Sequence, residues 1–126
     1  PALLLLLAVT GCGKGEKSTA QLIWDLHSGG EKERLVAARL LPSRSGDAAQ
    51  SVPALTAAVR DPDADIRRSS AIALGNLGEA ASESVPTLQA ALKDKDARVR
   101  EAAGVALNRI DPTRFAAFQP PKRKTR

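Results

Sequence analysis

Aromatic side chains are nearly missing from this chain: Trp24, Phe115 and Phe118 are the three among 126 residues. A core for it must be built from Ala, Leu, Val and Ile. Such side chains suit closely packed helices better than a sandwich of aromatic-rich strands. Cysteine occurs once, as Cys12, which excludes an internal disulfide. Histidine also occurs once, as His27, so a histidine–cysteine metal site is out of reach. Ser-His-Asp catalysis would rest on His27 alone, and no serine stands in a nucleophile-elbow sequence. His27 reads instead as a polar residue ending a helix. No catalytic residue, metal site or cofactor is expected.

Acidic residues are absent from Arg114 onward, where Arg114, Lys122, Arg123, Lys124 and Arg126 account for the whole net charge of +5. The body of the chain is therefore neutral, which argues against a broad phosphate-binding face. The length fits one domain, and 43% hydrophobic residues suffice for a core.

Residues 2–9 read ALLLLLAV, an apolar run too short to span a bilayer as a helix but of the length of a signal-peptide core. Val9-Thr10-Gly11-Cys12 follows, and then the polar stretch GKGEKST. A small residue before a lone cysteine at the end of an apolar run resembles the lipobox of bacterial lipoproteins. That resemblance implies a diacylglyceryl group on Cys12, cleavage just before it, and recognition through Val9, Thr10 and Gly11. The sequence starts at Pro1 without a basic stretch, so this signal is expected to be incomplete at its start. The stretch from Gly11 to Thr19 also brushes against a phosphate-loop pattern, but Glu16 stands where the second glycine must be and would repel phosphate. Residues 12–16 read as a tether.

From about Lys17 the sequence repeats every 33 residues without a gap. Leu22, Leu55 and Leu88 fall in register, as do Arg34, Arg67 and Arg100; Ala37, Ser70 and Ala103; and Leu41, Leu74 and Leu107. Repeats two and three are the most alike, and the first is degenerate, as terminal repeats often are. Within a unit the apolar spacing is helical: Val99, Ala102, Ala103, Ala106, Leu107 and Ile110 form one broad stripe. The pattern predicts helices over 17–28, 31–42, 49–60, 64–78, 82–93 and 97–110. Pro53 and Pro86 are expected in the first turn of their helices, and Gly78 as a helix stop. Asp61-Pro62-Asp63 and Asp94-Lys95-Asp96 are expected to turn the chain and cap the next helix. A calcium loop starting at Asp61 would need Gly at its sixth place and Glu at its twelfth, where Ile66 and Ile72 stand.

VPALTAAVRDPDADIRRSSAIALGNLG and VPTLQAALKDKDARVREAAGVALNRI resemble HEAT repeats, in the short form found in proteins related to phycobilin lyases. The resemblance implies an all-α, right-handed α-solenoid of three helical hairpins, at about 17–45, 46–79 and 80–112. It further implies a structural ladder between neighbouring repeats, built from the turn aspartates and the arginines opening the second helices. The positions here are Asp61, Arg67, Asp94 and Arg100, with Arg34 expected to lack an aspartate because Ser28 stands at the matching place. Phe115 and Phe118 are expected to cap the last repeat within 113–119, and 120–126 to form a basic disordered tail.

The reading that results is a non-enzymatic protein–protein interaction scaffold in the bacterial cell envelope, lipid-anchored at Cys12. The concave face of such a solenoid comes from the second helices. Arg68 and Glu101, equivalent positions of opposite charge, are candidates for partner binding there. The partner is not identified, and no nucleic acid is expected. A second reading is a cytoplasmic module that binds acidic partners or nucleic acid through the basic tail. A phycobilin-lyase-like enzyme is disfavoured by the short chain and the scarcity of aromatics to line a tetrapyrrole pocket.

Overall fold

The computed structural model describes residues 15–118. Val9, Thr10, Gly11, Cys12 and the tail 120–126 lie outside the described residues. The chain folds as an all-α solenoid of helical hairpins: α1 (Thr19–Ser28) with α2 (Glu31–Leu40), α3 (Ala48–Ala58) with α4 (Ala64–Leu77), and α5 (Val85–Ala91) with α6 (Ala97–Ile110). The first helices form one layer and the second helices the other. Between the layers run two leucine columns, Leu22–Leu55–Leu88 and Leu41–Leu74–Leu107, every member of which is fully buried. A leucine so buried contributes about 1.5–3 kcal/mol, and the shared column makes one core of three hairpins.

Helix starts follow local chemistry. Ser18 accepts from the Gln21 N–H at 3.2 Å while the Gln21 side chain accepts from the Ser18 N–H at 2.8 Å, a reciprocal capping box. One carboxylate oxygen of Asp63 takes the N–H groups of Asp65 and Ile66 at 2.9 and 3.1 Å, and Asp96 takes that of Arg98 at 2.8 Å. Gly78 ends α4 at φ 61°, a conformation that favours glycine.

Several helix boundaries differ from the sequence expectation by one to three residues, and three of them have a clear local form. The second helix stops at Leu40, and Leu41–Ser43 tightens into a 3₁₀ turn with Pro42 in its first turn. The third helix begins at Ala48, so Pro53 lies inside it and not in its first turn. The equivalent Pro86 does sit at a helix start, because Gly78–Ser84 winds as 3₁₀ around a non-helical Ala81 and α5 cannot begin before Val85.

Small residues bring the second helices together. A Cβ on Gly75 would stand 2.9 Å from the Ala106 Cα, so α4 approaches α6 as closely as a bare glycine permits. The first helices are held less directly, since α3 meets the third repeat chiefly through the segment Gly78–Ser84. The closer spacing on the second-helix side makes that side concave. At the far end Phe115 is buried in the core, and the Phe118 ring lies on Gly104, where a Cβ would meet it at 2.9 Å. The Asn108 side-chain amide donates to the Phe115 carbonyl at 3.0 Å and fixes this segment to α6.

One core position breaks the repeat's own rule. Ala37 and Ala103 are matched by Ser70, whose hydroxyl is buried and has no hydrogen-bond partner among the described residues. A hydroxyl in that state opposes folding. Ser70→Ala is expected to stabilise the protein by about 1 kcal/mol, raising Tm by roughly 4–8 °C in a domain of this size. A calorimetric melt checks it, and a lower Tm for the variant would mean that the hydroxyl is bonded.

Candidate functional site

In the first two repeats the arginine that opens the second helix serves two turns at once. Arg67 donates through Nη1 to the carbonyls of Asp61 and Pro62 at 3.0 Å each, closing the turn of its own hairpin. Its Nε and Nη2 reach forward to Asp94 in the next repeat, at 2.9 and 3.1 Å. Asp94 in turn takes the Asp96 N–H at 2.9 Å, so the carboxylate braces its own turn as well. Arg34 repeats the arrangement, with Gly29 O at 2.9 Å behind it and Asp61 at 2.9 and 3.3 Å ahead. Arg34 therefore does have an aspartate, because the arginine pairs with the turn of the following repeat and not with position 28 of its own. Arg100 bonds the carbonyls of Asp94 and Lys95 at 2.7 and 3.3 Å and meets no carboxylate among the described residues.

The Arg67–Asp94 pair is the more enclosed, with side-chain exposures of 7% and 13% against 20% and 10% for Arg34–Asp61. A forked pair this sheltered is strong because both oxygens are used and little water competes. The Arg67 hydrogen bond, with the Asp96 N–H and the guanidinium charge, holds the Asp94 carboxyl below its ordinary value, and that bond raises Arg67. Arg98 holds the Asp96 carboxyl at about 2, chiefly through its side-chain hydrogen bond and then its backbone N–H.

Above the ladder, the concave face carries an open groove made of two adjoining clefts of about 260 and 240 Å³. Arg68 and Ile72 line both clefts. Glu101, Val105 and Arg109 complete the cleft toward α6, and Arg39 the cleft toward α2. The structure thus places Arg68 and Glu101 on one groove. The sequence reading missed Arg39, Ile72 and Val105, which share one register position at a spacing of 33. A signal existed: Ile72 and Val105 lie just outside the alanine stripe, where a large apolar side chain has no core to enter. His27 stands exposed at the end of α1. Among the described residues no cluster of His, Cys, Asp or Glu could hold a metal ion.

Stacked hairpins, a buried shared core and an Arg–Asp ladder define a helical-repeat solenoid. The family model for HEAT repeats matches residues 19–108, and the chain belongs to that family. No curated protein matches it in sequence.

The ladder sets a rank order. Arg67→Ala strands a sheltered carboxylate and is expected to cost about 3–5 kcal/mol. Arg34→Ala is expected to cost about 1.5–3 kcal/mol, and Arg100→Ala about 1 kcal/mol or less. Urea unfolding of the three variants checks the order, and a cost for Arg100→Ala equal to that for Arg67→Ala would contradict it.

Acid gives an independent reading. A carboxyl whose folded pKa is depressed stabilises the fold above its unfolded pKa and loses that contribution as pH falls through the folded value. For Asp94 and Asp96 the stabilisation is complete above the ordinary carboxyl value of 3.8, and for Asp96 it fades toward about 2. The urea midpoint is expected to drop over that interval, and a flat profile there would contradict these partners.

Proposed function

We propose that this protein is a non-enzymatic scaffold that binds other proteins on its concave face, tethered to a bacterial membrane through lipid on Cys12. HEAT repeats commonly mediate protein–protein interaction. The observation that carries the reading here is where large apolar side chains are left in water. Val36, Leu40 and Ile72, exposed by 48%, 45% and 38%, stand on second helices, while Trp24 stands on α1 and Phe118 beyond α6. Ile72 lines the groove beside Arg68 and Glu101. Apolar surface rimmed by charge is the usual composition of a protein-binding patch.

The tether rests on the sequence. The apolar run ends at Val9-Thr10-Gly11-Cys12, and Ser18 caps the first helix only a few residues later. Among the described residues no helix is long and apolar enough to cross a membrane. Attachment in this reading comes from acyl chains on Cys12, since two or more chains anchor stably where one binds marginally. Held so, the first repeat is the one nearest in sequence to the bilayer.

Intact mass and membrane partitioning of the chain expressed in a bacterial host, with Cys12→Ser beside it, test the tether. The expected result is a lipid-modified Cys12 in the membrane fraction and an unmodified, released variant. An unmodified chain that stays in the soluble fraction would remove the tether and leave the scaffold to be judged by its groove.

A further inference from the structure

We infer that the concave groove recognises an extended acidic segment of a partner protein, with carboxylates on Arg39 and Arg68 and an aliphatic side chain over Ile72 and Val105. This rests on the reading of the concave face as the binding surface and adds the chemistry of what it binds. Four arginines line the two clefts, Arg39, Arg68, Arg98 and Arg109, against one acid, Glu101. They are not equivalent. Arg98 is already held by Asp65 at 3.1 Å and Asp96 at 2.9 Å. Arg109 donates to the Asn76 side-chain oxygen at 2.7 Å. Arg39 and Arg68 form no ion pair among the described residues. The charge is local, since the body as a whole is neutral, and so it marks this groove and not the surface at large.

Geometry narrows the ligand further. Arg39 stands on α2 and Arg68 on α4, neighbouring helices of the inner layer. Packed helices lie about 8–10 Å apart, and a chain extended as a polyproline-II helix advances about 3.1 Å per residue with three residues per turn, which puts residues three apart on one side. Acidic residues three apart therefore reach both guanidiniums, and a branched aliphatic residue between or beside them meets Ile72. The floor at Gly75, Ala102 and Ala106 is made of small residues and leaves room for that side chain. Guanidinium forks suit carboxylates, which they bind through two parallel hydrogen bonds.

The test begins with a random twelve-residue peptide library displayed on phage and panned against the full chain. Selected sequences are then made as synthetic peptides and titrated by fluorescence anisotropy. Enrichment of peptides with acids three apart around an aliphatic residue is expected. Their affinity should fall at least about tenfold with Arg39→Glu or Arg68→Glu and drop with added salt, while deletion of 120–126 leaves it unchanged. A peptide with the acids replaced by lysine should bind the double charge-reversed protein better than the original. Both reversals lie on exposed side chains, and unchanged melting curves show that the fold is intact. Enrichment of neutral or basic peptides that are lost with Ile72→Asp but indifferent to the two arginines would overturn the acidic specificity and leave the scaffold reading standing. Acidic peptides lost on deletion of 120–126 would move the site to the tail and overturn this inference. No peptide displaced by any groove substitution would overturn both readings.

Discussion

The pairing of Arg67 with Asp94 is the contact on which the arrangement of the repeats depends. One guanidinium closes the turn behind it and holds the turn ahead of it, so each hairpin's loop geometry and its position on the next hairpin are set by a single side chain. Leucine columns supply most of the burial, but leucine contacts are non-directional and tolerate sliding. The ladder does not, because both carboxylate oxygens and three guanidinium nitrogens have assigned partners. A sheltered ion pair is weak evidence for net stability, and registration of parts is its best-attested role. That role fits a stack whose shared core is made chiefly of aliphatic side chains.

Registration then decides the shape of the binding face. With the turns fixed, α4 and α6 meet at Gly75 and Ala106, the inner layer closes up, and the side chains at 39, 72 and 105 come into one column. The groove is a consequence of where the small residues are: alanine and glycine line its floor because the helices must touch, and larger residues stand at its edges because they need not. Charge follows the same division. Arg34 and Arg67 on the ladder side are paired and sheltered, and of the arginines on the concave side Arg39, Arg68 and Arg109 form no ion pair among the described residues.

Much of this was legible in the sequence. A gapless spacing of 33, alanine stripes and Asp-Pro-Asp punctuation lead to the hairpins, and the helices from Ala64 to Leu77 and Ala97 to Ile110 start and end within a residue of expectation. The misreadings have physical causes. Pro53 and Pro86 occupy the same register position, yet one lies inside a helix and the other at a helix start, because that depends on how the preceding linker winds. The ladder's residues were visible but its direction was not: a carboxylate 27 residues ahead of its arginine is as consistent with the spacing as one six residues behind. The groove was half visible, since Arg68 and Glu101 stand out by differing in charge, whereas Ile72 and Val105 pass for core until the neighbouring helix leaves them uncovered.

A double-mutant cycle on Arg67 and Asp94, followed by urea unfolding, tests the central claim most directly. Arg67→Ala, Asp94→Ala and the double variant are compared with the parent. The account predicts a coupling of about 2–3 kcal/mol between the two sites, the upper end of what contacting residues show. Coupling of about 0.5 kcal/mol or less, the level of independent sites, would contradict it and leave the leucine columns as what registers the repeats.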